Sequence, residues 1–304
     1  MTSYSVAPPG FRLPDETRLG RVLLQVANLD RSIEYYRRVI GLEVGLRDGD
    51  RATLQAAGGS EPLVELRELP GAVPVPRRGR LGLFHFALLL PSRGDLGRFL
   101  AHLATTGERA GSADHLVSEA LYLTDPDGLG IEVYADRPRA AWRVEGGNLA
   151  MSTDPLDVGD LIAGAGSERW NGAPRGTVMG HVHLHVGDLA EGARFYHEGL
   201  GFDRIVLSFP GALFMSAGGY HHHLGINVWA RGAPLAGERD ARLLEWLVLV
   251  PGPDALAAAA QSIRDAGYPV SEGPDAVTAA DPWGTTVRIA VAPSDGATAS
   301  PSKA

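Results

Sequence analysis

Hydrophobic and polar residues alternate along the chain in an order that repeats. An alternating segment at 21–26 is followed by a helix-periodic segment at 32–39 and then by three short alternating segments. The same order recurs three more times at a spacing of roughly 50 to 60 residues. The pattern therefore predicts an α+β fold made of four βαβββ modules.

The modules are numbered by their first strands. Modules two, three and four open with alternating segments at 83–87, 180–185 and 243–250. A segment rich in Pro, Gly and charge separates modules two and three. We expect a flexible N-terminus (1–17), a first domain of modules one and two (18–137), a linker (138–177), a second domain of modules three and four (178–291) and a flexible tail (292–304).

One module alone leaves a half-open sheet, so two modules must pair edge to edge to form a cup. Four modules then give two cupped half-barrels. Because strand side chains alternate between faces, the face of each residue can be assigned. His181, His183 and His185 should line a cup, while Phe84 should face the helices and His85 should point inward. Glu132 should point inward on the last strand of module two.

Composition narrows the chemistry of such cups. The chain has no Cys, so imidazole and carboxylate are its strong metal ligands. The net charge is −8 and no long basic run occurs, which argues against nucleic acid or a membrane surface as a partner. No segment has the pattern of a membrane span or of a secretory signal, so we predict a cytoplasmic protein. The sequence leaves open whether it forms a homo-oligomer.

Two motifs carry a resemblance to a known family. They are the "DL…S…YY…GL" pattern after a first strand and "DPDGxxIE" at a last strand. Modules with these motifs resemble the vicinal-oxygen-chelate superfamily, also known for glyoxalases, bleomycin resistance proteins and extradiol dioxygenases. The resemblance implies a metal slot at the start of the first strand and another on the last strand of each module. In chain order, modules one to four hold in these slots Arg21 and Glu65, His85 and Glu132, His181 and Asn227, and Glu245 and Arg288.

Only modules two and three have imidazoles in their slots. His85, Glu132 and His181 together have the composition of a 2-His-1-carboxylate triad for non-haem Fe(II). Consecutive pairing of modules would divide this triad, so we predict that module two pairs with three and module one with four. The second cup would then be filled by opposite charges.

The strings "LFHFALLLP", "DHLVSEALYLTDPDGLGIEVYADRPR" and "GGYHHHLGINVW" resemble bacterial CatE-type catechol 2,3-dioxygenases. The resemblance implies an extradiol enzyme that uses Fe(II), with Mn(II) as the other option, and that acts on a small aromatic diol and O2. It implies that Tyr122 holds a substrate oxygen and that His115 assists. The acid/base residue is His222 by resemblance or His223 by strand parity.

Two other function classes stay open at this point. One is a metal-dependent isomerase or epimerase of the glyoxalase kind, against which Asn227 counts because glyoxalases prefer a second carboxylate in that slot. The other is a small-molecule binding or resistance protein with a vestigial site. Substrate choice would depend on which of Leu89, Phe214, Met215 and Trp229 reach the cup.

Overall fold

The structure is a computed structural model that describes residues 4–293, and it contains the four predicted modules. Module one consists of β1 (Arg18–Val26), α1 (Leu29–Tyr35), β2 (Glu43–Asp48), β3 (Arg51–Gln55) and β4 (Pro62–Glu68). Module two consists of β5 (Gly82–Leu89), α2 (Arg93–Thr106), β6 (Gly111–Asp114), β7 (Ser118–Thr124) and β8 (Gly130–Asp136). The linker forms a 3₁₀ turn (Arg139–Ala141), β9 (Val144–Glu145), β10 (Asn148–Leu149) and α3 (Val158–Ala163).

The second half of the chain repeats the same order of elements. Module three consists of β11 (Val178–His185), α4 (Leu189–Ala193), β12 (Asp203–Val206), β13 (Ala212–Ser216) and β14 (Leu224–Asn227). Module four consists of β15 (Arg242–Val250), α5 (Pro253–Asp265), β16 (Ser271–Glu272), β17 (Ala276–Ala280) and β18 (Thr286–Val291). No helix among residues 4–293 has the length and apolar character needed to cross a membrane.

Local sequence signals set where the helices begin. Asn28 and Asp188 cap α1 and α4 by accepting hydrogen bonds from backbone N–H groups of the first turn, and Ser92 caps α2 in the same way. α1 and α4 then widen into π-helical turns at Tyr36–Ile40 and Arg194–Gly199. The turn after α1 ends at Gly41, whose φ of 84° is a left-handed conformation that glycine adopts without strain.

Strand pairing confirms the predicted arrangement of the modules. Within each module the first and last strands pair in parallel. Between modules, β5 pairs with β11 and β1 pairs with β15, both antiparallel. One eight-stranded sheet has the order β12-β13-β14-β11-β5-β8-β7-β6, and the other has the order β16-β17-β18-β15-β1-β4-β3-β2. Module two therefore pairs with three and module one with four, and each sheet takes strands from both predicted domains.

Tyrosine–aspartate hydrogen bonds connect the modules that do not share a sheet, module one with two and module three with four. The Tyr36 hydroxyl of module one donates to Asp125 of module two at 3.2 Å, and the Tyr196 hydroxyl of module three donates to Asp281 of module four at 2.8 Å. Both aspartates begin the tight turns that precede a last strand. The buried apolar residues of all four modules, on the strand faces toward the helices, form one continuous core.

Residues of the predicted flexible N-terminus contact the rest of the protein within the segment 4–17. Val6 forms a backbone bridge with Arg204, and Arg12 forms an ion pair with Asp203 at 2.7 Å. Leu13 is 1% exposed and belongs to the core. Its apolar contacts fix a segment whose Pro and Gly content suggested disorder. Residues 1–3 and the predicted tail from residue 294 onward lie outside the described residues.

We expect Asp125 to make the stability of the fold depend on pH. Burial raises the pKa of the Asp125 carboxyl to about 7, although backbone N–H donors act in the opposite direction. Because the folded-state pKa lies above the unfolded value of about 3.9, the stabilising contribution is complete below that value and is lost as pH rises to about 7.

The free energy of unfolding of Asp125→Asn should therefore rise relative to that of the unmodified protein as pH rises from 4 to 7. The expected rise is about 1.4 kcal/mol for each unit by which folding raises the pKa of Asp125. Denaturant unfolding at several pH values measures this difference. Asp48→Asn, at an exposed position, is the control and should show no such trend. A pH-independent difference for Asp125→Asn would contradict the argument.

Candidate metal site

Three side chains with ligand atoms meet at the centre of the sheet formed by modules two and three. His85 lies on β5, Glu132 on β8 and His181 on β11, and β5 lies between the other two strands. Glu132 Oε2 lies 3.0 Å from His85 Nε2 and 3.1 Å from His181 Nε2. The two Nε2 atoms are 3.3 Å apart. Among residues 4–293 this is the one group of its kind with a spacing suited to a metal ion.

The protonation state of this cluster suits a divalent cation. Burial alone would raise the pKa of Glu132, but the adjacent His181 and His85 hold it well below its usual range. Burial lowers the pKa of His181 to about 4, so that this ring is neutral at pH 7. Three ligands on one octahedral face, with bonds of about 2.1 Å, lie about 3 Å apart, which agrees with the observed spacing. The donor set therefore fits a mononuclear cation with the opposite face open.

Tyr122 borders the cluster from the adjoining strand β7. It lies directly opposite Glu132 in the strand pairing, and its ring centroid is 5.6 Å from that of His85. Its hydroxyl is 2.5 Å from His115 Nε2, and His115 Nδ1 is 2.6 Å from the carbonyl oxygen of Ser152. Because a carbonyl only accepts, His115 Nδ1 carries a proton, and in the singly protonated ring Nε2 accepts from the Tyr122 hydroxyl. Burial raises the pKa of Tyr122 well above its usual value, so the phenol keeps its proton.

The two histidines left open by the sequence occupy different surroundings. The His222 ring centroid is 4.0 Å from that of His181 and 4.9 Å from that of Phe214. His223 instead accepts the backbone N–H of Ala217 through Nδ1 at 3.2 Å. Strand parity does not reach these positions because β14 begins only at Leu224. The structure thus brings His222, and not His223, against the cluster.

His183 and His185 lie in the same cup without joining the ligand group. The His183 ring is 5.0 Å from the ring of His85 and packs edge-on against Phe84 and Phe214. His185 Nδ1 lies 2.7 Å from Asn227 Oδ1, to which it donates. Asn227, in the fourth family slot, is therefore bound to His185 and is not a member of the cluster.

Phe84 corrects one prediction of strand facing. It was expected to face the helices, yet its ring lies 4.8 Å from His85 and 5.6 Å from Trp229, inside the cup. The pairing of β5 with β11 has an irregularity between His183 and Leu184, so that strict alternation fails at this point. Phe84 thus forms an aromatic wall together with Phe214 and Trp229.

The remaining two candidates for the cup wall differ in their position. Leu89 lies on the cup face, in a small cluster with Ala87, Ala120 and Tyr134 that has Tyr122 at its edge. Met215 is fully buried in the main core on the helix side. Substrate contact is therefore not expected from Met215.

The cup formed by modules one and four contains charged side chains at the positions where the cup of modules two and three contains the candidate metal ligands. Arg21 Nε lies 2.7 Å from Glu65, and its Nη1 lies 3.1 Å from Glu245. These groups are half-buried, so their contribution to stability is modest. Arg51 also lies 3.5 Å from Glu65.

Sequence reasoning did not single out Asp136. Its Oδ1 lies 2.9 Å from His221 Nε2 and accepts the Tyr220 hydroxyl at 3.1 Å. His221 Nδ1 is in turn 2.7 Å from His222 Nδ1. Strand alternation offered a signal, because Asp136 follows Glu132 at an even spacing on β8. The missing information was the path of the loop before β14, which brings His221 to this carboxylate.

Comparison with known proteins agrees with this architecture. The family model described as "Glyoxalase/Bleomycin resistance protein/Dioxygenase superfamily" matches residues 18–133 and 178–289, which contain the paired modules. The curated catechol-2,3-dioxygenase of Bacillus subtilis (strain 168) is 45% identical over 272 residues, covering 88% of this chain and 95% of the relative.

Two solved structures share the fold at low identity. A Bacillus subtilis protein provisionally assigned as a dioxygenase superimposes with a TM-score of 0.64 at 15% identity, over 93% of this chain and 87% of that chain. Glyoxalase I from Zea mays gives a TM-score of 0.53 at 17% identity, over 91% of this chain and 92% of that chain. At these identities the two structures support the fold and not an activity.

We expect Glu132→Ala to remove bound divalent metal, because one of three ligands is lost. The loss in affinity should exceed the roughly 10- to 100-fold cost of changes outside the ligand shell. Metal analysis of purified protein measures it. Glu65→Ala, at the matching slot of the other cup, is the control and should leave the metal content unchanged. Equal loss in both variants would contradict the assignment of the site, and melting temperatures check that both variants are folded.

Proposed function

The chain belongs to the superfamily of glyoxalases, bleomycin resistance proteins and dioxygenases, and from this membership we propose that it is an extradiol ring-cleaving dioxygenase. The substrate is a catechol-type aromatic diol, the second substrate is O2, and the cofactor is one Fe(II) held by His85, Glu132 and His181. The similarity to the Bacillus subtilis relative named catechol-2,3-dioxygenase supports the reaction class.

One observation carries the proposal: two imidazoles and one carboxylate converge from three adjacent strands of one cup. Three protein ligands leave three octahedral positions, enough for two oxygens of a diol and one small molecule. When bound, Fe(II) supplies a centre at which diol and O2 are held side by side and electrons pass between them. The glyoxalase alternative gains no support here, because Asn227 is bound to His185.

Tyr122 is the residue to which we assign binding of one substrate hydroxyl. Its own proton is directed to His115, so its oxygen lone pairs are available to accept a hydrogen bond from the diol. His115 is held by the Ser152 carbonyl and keeps Tyr122 in this orientation. We assign Tyr122 to substrate binding and His115 to supporting it.

We assign the acid/base role to His222, on the side of the cluster away from Tyr122. Its ring lies against His181, and it is 5% exposed. Burial lowers its pKa well below the usual value, so the resting ring is neutral and can accept a proton. His223, with Nδ1 occupied by the Ala217 N–H, is not assigned this role.

The aromatic wall of Phe84, Phe214 and Trp229 suits a flat aromatic substrate. These rings pack edge-on or tilted around the cup histidines at centroid distances from 4.7 to 5.5 Å. Such geometry favours contact with another aromatic ring and excludes water from the reacting atoms.

Protein purified without oxygen should contain about one Fe per chain, as a single 2-His-1-carboxylate site requires. Addition of catechol and O2 should give a yellow ring-opened product, followed by absorbance and by O2 uptake. Stoichiometric Zn or Ni in the purified protein, with no O2 uptake for any catechol, would exclude the proposed function. Mn(II) that supports the same product would change the metal but retain the reaction.

Tyr122→Phe should lower kcat by roughly 100-fold, the usual scale for loss of one group that positions or transfers a proton. Metal content should stay the same, since Tyr122 is not one of the three ligands. Tyr35→Phe is the matched control, because the Tyr35 hydroxyl donates to the Thr124 carbonyl outside the cup. Steady-state kinetics compare the two, and equal rates for both variants would remove Tyr122 from the mechanism.

A further inference from the structure

A chain of hydrogen bonds runs from the cup to the protein surface behind His222. His222 Nδ1 and His221 Nδ1 are 2.7 Å apart, and His221 Nε2 lies 2.9 Å from Asp136 Oδ1. The His221 side chain is fully buried, whereas that of Asp136 is 25% exposed. The two histidines therefore connect the proposed acid/base position with a solvated carboxylate.

The carboxylate at the outer end sets the direction of the hydrogen bonds in this chain. A carboxylate only accepts hydrogen bonds, so His221 Nε2 carries a proton and donates to Asp136. When each ring carries a single proton, Nδ1 of His221 is bare and accepts from His222. In that arrangement His222 carries its proton on Nδ1 and its Nε2 has a free lone pair. Without the carboxylate, both rings could reverse, and Nε2 of His222 would be blocked by a proton.

The surroundings hold His221 in the orientation that this chain needs. Its ring packs against Tyr220, at a centroid distance of 4.0 Å, and against Trp142, at 5.4 Å. The Tyr220 hydroxyl donates to the same oxygen of Asp136 at 3.1 Å, and Trp142 Nε1 donates to the Arg137 carbonyl at 3.0 Å. The His221 ring is therefore held by ring contacts, and Tyr220→Phe keeps them because it removes only the hydroxyl.

We propose that Asp136 and His221 are positioning residues that select the tautomer of His222 in which Nε2 is free to accept a proton. The inference rests on the proposed function for its consequence in catalysis. In that reaction a substrate O–H bond breaks, the proton forms a new N–H bond at His222 Nε2, and the electron pair stays on the substrate oxygen. The positive charge on His222 is then balanced through His221 by Asp136. The proton returns to an oxygen of the product.

The test compares Asp136→Asn with Tyr220→Phe in the full chain. Both variants change a hydrogen bond at the same position, but only the first removes the carboxylate that orients His221. In protein labelled with ¹⁵N-histidine and loaded with diamagnetic Zn(II), imidazole nitrogen shifts report which nitrogen of His222 is protonated. The His222 signals are assigned by their loss in His222→Gln.

The unmodified protein and Tyr220→Phe should show His222 protonated on Nδ1, and Asp136→Asn should shift a large fraction to Nε2. In the iron-loaded enzyme, kcat of Asp136→Asn should fall by about tenfold or more with little change in KM, whereas Tyr220→Phe should stay within about twofold. A His222 proton on Nε2 in the unmodified protein, or an unchanged tautomer in Asp136→Asn, would overturn the inference.

The two proposals fail in different ways. If the His222 tautomers are as expected but no diol is turned over, the positioning role is upheld and the proposed function is contradicted. Turnover of a diol with a His222 tautomer that does not depend on Asp136 would do the reverse.

Discussion

The antiparallel pairing of β5 with β11 is the constraint on which the candidate site depends. These strands open modules two and three, and they bring His85 next to His181 although 96 residues separate them in the chain. Glu132 joins them because β8 pairs in parallel with β5. Neither half of the chain contains the whole ligand set, so the site exists only when the two halves share a sheet. The linker, with its contacts to both halves, makes that sharing possible within one chain.

The architecture and the three candidate ligands could be predicted because both follow from period-two alternation. Repeated modules allow one strand to be aligned with another, and the distribution of imidazoles then indicates which modules pair. Arg21 between Glu65 and Glu245 follows from the same alignment. Arg51, which also lies close to Glu65, comes from the neighbouring strand β3 and is not one of the slot residues.

The incorrect predictions share a physical cause. They concern residues at which the alternation of strand side chains is interrupted or absent. Phe84 sits at an irregular point of the strand register, and one extra residue moves its ring to the opposite face. His222 and His223 precede the strand whose parity was applied to them. Residues 4–17 have the composition of a flexible end, yet Leu13 fills a position in the core. Such contacts depend on tertiary packing and have no periodic signal in the sequence.

The tyrosine–aspartate contacts have a consequence for the whole molecule. The sheets connect module two with three and four with one, while Tyr36–Asp125 and Tyr196–Asp281 connect one with two and three with four. The four modules thus form a closed ring of neighbours around one core. In such a ring no module can unfold without disturbing two others, which favours a single cooperative transition. A ligand bound to the native state of one cup then adds to the stability of both, so the cup filled with charges would share in the protection that a metal gives to the other.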